Sequence, residues 1–174
     1  VTGSAYRDHI VGNASTNLLF GGPGDDSLVG SGGNDAIEGG DGDDAIVGSI
    51  DGGDNVDGGS GNDTIRGGSG PSDTIFGGPG DDSIVTSGGD DTISGGEGND
   101  TIFGGPGDDS IDAGDGDDTI VSGLGGSDTI FGGPGDDSIT SGADETIVAG
   151  AGDDTIFGGP GDESITGGDG NDLI

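Results

Sequence analysis

A branched aliphatic residue returns every nine positions along almost the whole chain. It stands at Ile10, Leu19, Leu28, Ile37 and Ile46 and then, with small changes of spacing, at Val56, Ile65, Ile75, Ile84, Ile93, Ile102, Ile111, Ile120, Ile130, Ile139, Ile147, Ile156, Ile165 and Ile174. A short fixed period is the mark of a repeat architecture. One inward aliphatic per nine residues is too little for a hairpin or a helix to bury by itself, whereas stacked copies let each aliphatic pack on those above and below it. Sixteen of the 19 positions are Ile, so the site selects a shape rather than mere apolarity, and a ladder is implied.

The unit reads G-G-x-G-[DN]-D-x-[IL]-x and is complete from Gly77 to Val85, G-G-P-G-D-D-S-I-V. Its glycines permit positive φ and close approach of backbones. Its last three residues form a minimal strand whose middle side chain points inward. The expected fold is all-β, a parallel solenoid. Composition alone argues for disorder, since 36 acidic residues against 2 basic ones leave a net charge of -34 with only 25% hydrophobic residues. Periodicity overrides it. The composition does exclude a conventional broad core, and the absence of Cys excludes a disulfide framework or a thiolate-bound metal. No apolar run approaches the roughly 18 residues of a membrane span, and so acidic a surface repels nucleic acid and anionic headgroups.

Cations are the natural partners. Calcium takes six to eight oxygens in forgiving geometry, which suits carboxylates together with loop carbonyls. Magnesium is strictly octahedral and reluctant to shed water, and transition metals lack their ligands in a chain with no Cys and only His9.

The repeat resembles the RTX, or haemolysin-type, calcium-binding nonapeptide from Gly3 to Ile174. That resemblance implies a right-handed parallel β-roll with two nonapeptides per turn and calcium ions (Ca2+) held between a loop and the loop one turn further along. Position six is the ligand it carries over. This assigns Asp26, Asp35, Asp44, Asp63, Asp82, Asp91, Asp100, Asp109, Asp118, Asp137, Asp154 and Asp172, with carbonyls such as those of Gly77, Gly78, Pro79 and Gly80 completing the shell. Stacked carboxylates repel without metal, so the apo chain is expected to be largely unfolded and the calcium-loaded chain folded.

Several units depart from the pattern. The first two, G-S-A-Y-R-D-H-I-V from Gly3 and G-N-A-S-T-N-L-L-F from Gly12, lack the glycines and place Asn17 where an acid belongs. Residues 1–20 are therefore expected to form an N-terminal cap and residues 21–174 the calcium-binding solenoid. Units Gly48–Asp57, Gly67–Phe76 and Ser122–Phe131 are one residue long and Ser141–Val148 is one short, which leaves Asp54, Asp73 and Asp128 outside the expected ligand set. Glu145 and Glu163 place a longer acid at position six. The aspartates at position five, among them Asp25, Asp81, Asp108 and Asp136, read as solvated charges or supports for the ligands. His9, Tyr6, Arg7 and Arg66 have no evident partners and read as incidental surface residues.

A second period lies over the first. Every Phe, at 20, 76, 103, 131 and 157, immediately precedes G-G-P-G-D, and the later four are 27, 28 and 26 residues apart. Ser and Thr before the inward aliphatic segregate with the same three-unit period. A two-unit turn throws alternate Phe onto opposite faces, whereas a three-faced β-helix with 27 residues per turn stacks Phe on Phe. Both architectures stand at this point. They differ in pairing: Asp82 meets Asp100 in the roll and Asp109 in the three-faced coil.

No active site is visible, because repetition gives every carboxylate the same environment and the serines have no histidine base near them. Two functions of different class follow. One is a calcium-dependent structural or adhesive segment of a secreted bacterial surface protein, filament or surface layer. The other is the noncatalytic repeat tail of a type I-secreted enzyme (protease, lipase or polysaccharide epimerase) or toxin. The array length leans towards the first. Millimolar extracellular calcium would fill such sites and submicromolar cytosolic calcium would not, so the expected location is secreted, extracellular or at the cell surface. The sequence stops mid-unit and carries no secretion signal, which reads as a fragment, and its open parallel edges suggest self-association end to end, with lateral association through Phe as another route.

Overall fold

The computed structural model describes all 174 residues and contains 18 strands and no helix, so no helix is long and apolar enough to cross a membrane. The odd-numbered strands are β1 (His9–Val11), β3 (Ser27–Ser31), β5 (Ala45–Ser49), β7 (Thr64–Gly68), β9 (Ser83–Val85), β11 (Thr101–Phe103), β13 (Thr119–Val121), β15 (Ser138–Thr140) and β17 (Thr155–Phe157). The even-numbered ones are β2 (Leu18–Pro23), β4 (Ala36–Asp41), β6 (Asn55–Ser60), β8 (Thr74–Pro79), β10 (Thr92–Glu97), β12 (Ser110–Asp115), β14 (Thr129–Pro134), β16 (Thr146–Ala151) and β18 (Ser164–Asp169). Odd strands form one nine-stranded parallel sheet and even strands the other. Each strand therefore pairs with the strand two units away, and the chain is a parallel β-solenoid of nine two-strand turns.

The three-faced alternative is overturned. Ile93 aligns with Ile111 and Ile102 with Ile120, so one turn advances 18 residues rather than 27. Phe76 and Phe131 lie in the even sheet, while Phe103 and Phe157 lie in the odd one. No Phe stacks on Phe: Phe76 sits beside Asp57 and Ser94, and Phe103 beside Val85 and Val121.

The core is a pair of facing aliphatic ladders one residue wide. All the repeat aliphatics from Ile10 to Ile156 are buried, and Ala113 and Ala149 join them where most units begin with Gly. Ile165 is half-buried and Ile174 exposed, since no further turn covers them. At the N-terminal end of the stack β1 pairs with β3, β2 with β4, and Thr2 bridges to Phe20.

Loops join the sheets along two edges. Gly78 shows why its position must be glycine: φ is +117°, and a Cβ there would run into the Gly59 carbonyl one turn back. The first edge joins even to odd strands eight times, each time through six residues counted from the end of the outward-inward-outward triplet to the acid, as in 77–82 and 95–100, and 167–172 repeats the form after the last strand. The second edge, from odd to even strands, holds every unit of altered length.

Candidate metal centres

The position-six carboxylates form two columns, one inside each edge. Each is placed by the strand that follows it, whose inward aliphatic is two residues on and fixed in the core. Asp26, Asp44, Asp63, Asp82, Asp100, Asp118, Asp137 and Asp154 make the buried part of the first column, with the half-buried Asp172 at its end. Asp35, Asp91 and Asp109 lie in the second. Within a column the two carboxylate oxygens differ. Oδ1 accepts the backbone N–H of the position-six residue one turn earlier: Asp63 donates to Asp82 at 2.7 Å, Asp82 to Asp100 at 2.8 Å and Asp100 to Asp118 at 2.7 Å. In each of these Asp before the half-buried Asp172, Oδ2 is buried and accepts no hydrogen bond.

An ionised oxygen buried without a partner is costly, and here the cost recurs in every turn. Burial, reinforced by the charges of neighbouring carboxylates and opposed by the backbone N–H bond, pushes Asp82, Asp109 and Asp137 up to about 7. Asp44, Asp63, Asp100 and Asp118 are raised to about 6, again chiefly by burial. The free oxygens converge on glycine. A Cβ on Gly77 would collide with Asp82 Oδ2 and also approach the Gly95 carbonyl of the next turn. The Pro79 carbonyl already accepts the Gly61 N–H at 2.9 Å. No three His, Cys, Asp or Glu side chains converge anywhere. An ion held between turns would thus meet carboxylate oxygens and peptide carbonyls together, the all-oxygen mixture that suits calcium and not zinc or copper.

The columns extend beyond the expected residues. Asp54, Asp73 and Asp128 are as buried as the others, leave Oδ2 equally unpartnered and continue the second ladder, with Asp54 donating to Asp73 and Asp35 to Asp54, both at 2.8 Å. The extra residue of each long unit is accommodated before the acid: Ile50 and Leu124 stand 76% and 82% exposed. Glu145 is buried with Oε2 unpartnered, but its Oε1 turns to the Ala143 N–H within its own shortened loop at 2.5 Å. Asn17 heads the second column through its N–H, given to Asp35 Oδ1 at 2.8 Å.

Position five has a role that composition conceals. On the first edge its Asp and Asn side chains form an outer ladder running in the opposite sense. Asp81 Oδ1 accepts the Asn99 N–H at 2.8 Å, Asn99 Oδ1 the Asp117 N–H at 2.7 Å and Asp117 Oδ1 the Asp136 N–H at 2.9 Å. These side chains stitch successive loops to one another. The interchange of Asp and Asn at this position was the available signal, because both offer the same Oδ1 acceptor. Against so many acids there is one ion pair, Arg7 with Asp25 at 3.1 Å, at the exposed first turn.

The model of the RTX calcium-binding nonapeptide repeat, four copies long, matches residues 1–28, 20–51, 50–70, 72–102, 94–126, 120–145 and 140–174. The chain belongs to the RTX calcium-binding nonapeptide repeat family, and its two-unit turn is that of a β-roll. No curated protein matches it.

Proposed function

We propose that this chain is a calcium-folded structural or adhesive segment of a secreted bacterial surface protein, filament or surface layer, which orders itself on meeting extracellular calcium. The observation that carries this reading is the column of buried carboxylates, each with one oxygen held by backbone and the other held by nothing. The position-six Asp of both columns, now including Asp54, Asp73 and Asp128, would hold calcium together with loop carbonyls such as those of Gly77, Gly78 and Gly80. The ions supply the positive charge that the stack lacks. Export as a coil and folding outside follow from the calcium gradient.

The uniform repeat favours a scaffold that carries no catalytic step of its own. A catalytic domain on the same polypeptide would make the chain the tail of a secreted enzyme instead. Calcium titration followed by circular dichroism, with magnesium as control, tests the metal reading. A cooperative coil-to-β transition at submillimolar to millimolar calcium, absent with magnesium, is expected. A chain already folded in chelator at neutral pH would overturn it.

A further inference from the structure

The two outer faces of the roll differ in charge. On the even sheet the outward residue after the inward aliphatic is an acid three times, at Glu38, Asp57 and Asp112. The odd sheet presents no acid on any of its nine strands, in a chain of net charge -34. Its outward column consists of five Val and two Phe, interrupted only by Arg66 and Thr140. Beside that column runs a second, headed by His9 and otherwise made of Ser, Thr and Ala45. Phe103 and Val47 are each 41% exposed and Phe157 58% exposed, so the face is open to solvent. Arg66 forms no ion pair within the chain, although acids outnumber bases 36 to 2.

We propose that this face pairs two copies of the chain, face to face and antiparallel, about a two-fold axis that runs along the middle strand β9. The proposal goes beyond the calcium-folded reading and rests on it. Charge selects the occupant. The even face and both edges of a second copy carry carboxylates, and setting them on Val and Phe would strip water from unpaired charge. Only another odd face offers a surface without acids.

Symmetry then fixes the register. With the axis along the strands, the apolar column of one copy meets the apolar column of the other over the whole face, whereas a parallel pairing either sets it on the Ser and Thr column or, shifted to match the apolar columns, gives up the overlap of the other column. Val85 meets itself on the axis, Val47 meets Val121, and Val11 meets Phe157. Val29 faces Thr140. Arg66 of one copy lies over Phe103 of the second, where a guanidinium finds the face of a ring instead of the carboxylate it lacks. The contact is isologous and closes as a dimer. Eight strand spacings of about 4.8 Å and three-residue strands of about 10 Å give a footprint of roughly 400 Å² per copy. That is about half of the ~800 Å² of a standard interface, so the pair is weak for this length and tightens as turns are added.

Sedimentation velocity of the calcium-loaded chain from low micromolar to roughly millimolar concentration tests this. The weight-average mass is expected to climb from 16.3 kDa towards twice that value and no further. Val85→Glu sets two carboxylates against each other on the axis and should lower the association constant by about tenfold or more. Arg66→Ala removes two such contacts by symmetry and should lower it about tenfold. Ser94→Glu, on the even face, should leave it unchanged. Circular dichroism of each variant in calcium reads folding separately: a wild-type chain that stays a coil would break the calcium reading. A folded wild-type monomer at the highest concentration would break only the pairing. Equal loss with Ser94→Glu, or association that Val85→Glu leaves intact, would also overturn the pairing.

Discussion

The two edges of the roll do the same work with very different freedom. Every loop of the first edge, from 21–26 to 167–172, is six residues long. On the second edge, loops 48–54, 67–73 and 122–128 have seven residues and loop 141–145 has five. Both sheets keep their registers regardless, because the aliphatic ladders are tied to the acid that precedes them and extra length is lost to solvent upstream of it. Addition and deletion are not equivalent. The second hydrogen-bonded ladder passes through all three long loops and ends at the short one: Asp109 donates to Asp128 at 2.9 Å, while Glu145 bonds within its own loop. A loop can bulge to absorb a residue, but a missing residue removes the reach needed to present its acid to the turn before.

The largest way to break this comparison is a methyl group placed on each edge. Gly78 has φ +117° and faces the Gly59 carbonyl, whereas Gly125, in a long second-edge loop, has φ +90° and nothing within 4 Å of its would-be Cβ. Gly78→Ala should cost on the order of 3–5 kcal/mol of calcium-loaded stability, from strain and collision together. Gly125→Ala should cost about 1 kcal/mol, the strain alone. Chemical denaturation in saturating calcium measures both. Similar costs would mean that the second edge is as closely set as the first.

The ladder acids give the next contrast. Asp82→Asn removes a buried charge and a prospective ligand from the middle of the first column, so the calcium midpoint for folding should rise several-fold. In chelator the same change should favour the roll, because burial works against the ionised form of Asp82. Glu163→Gln, at the half-buried far end of the second edge, should move the midpoint little. Circular dichroism titrations compare the two. An Asp82→Asn midpoint equal to that of the unaltered chain would remove Asp82 from the sites.

Much of this was legible from residues, and the part that was not has a physical cause. The inward positions and the acid of each loop followed from period and unit, since burial and hydrogen bonding repeat with them. The number of faces did not. The three-unit recurrence of Phe and of Ser and Thr concerns outward residues, which pack on little and do not set the turn. The deciding signal was the parity of the defects. Gly48–Asp57, Gly67–Phe76, Ser122–Phe131 and Ser141–Val148 are all separated by even numbers of units, which places them on one edge of a two-unit turn and scatters them over a three-unit one. Asp54, Asp73 and Asp128 fell outside the expected set for a related reason. Counting from the start of a unit misplaces the acid when the extra residue lies before it, while counting back from the inward aliphatic keeps it in line.

Acid should sharpen the role of the columns without any substitution. Asp82, Asp109 and Asp137 rise to about 7 in the metal-free roll from an ordinary value of 3.8, chiefly through burial. The folded chain therefore binds more protons than the coil between about pH 4 and 7. Stability of the metal-free roll is fully present below about pH 4 and is lost as pH rises through 6 to 7. Circular dichroism in chelator should show β-structure growing as pH falls from 8 to 4, while the calcium required at pH 5 exceeds that at pH 7.5 because protons occupy the same oxygens. A metal-free signal that does not change with pH would mean that the carboxylates are not what holds the apo chain open.

The smallest expected effect bears on where the second edge gives out. Loop 158–163, G-G-P-G-D-E, differs from the first-edge loop 77–82, G-G-P-G-D-D, only in its last residue. The Glu163 carboxyl has a buried, unpartnered Oε1, one methylene further out than the Asp82 carboxyl. Glu163→Asp by itself should gain no more than about 0.5 kcal/mol, since the short loop 141–145 supplies no ladder for it to continue. Adding a glycine to that loop together with Glu145→Asp should restore the bond from Asp128 and bring a further gain of about 1 kcal/mol. Thermal melts in saturating calcium, read as a double-mutant cycle, separate the terms. A full gain from Glu163→Asp without the lengthened loop would show that acid identity, and not loop reach, ends the second column.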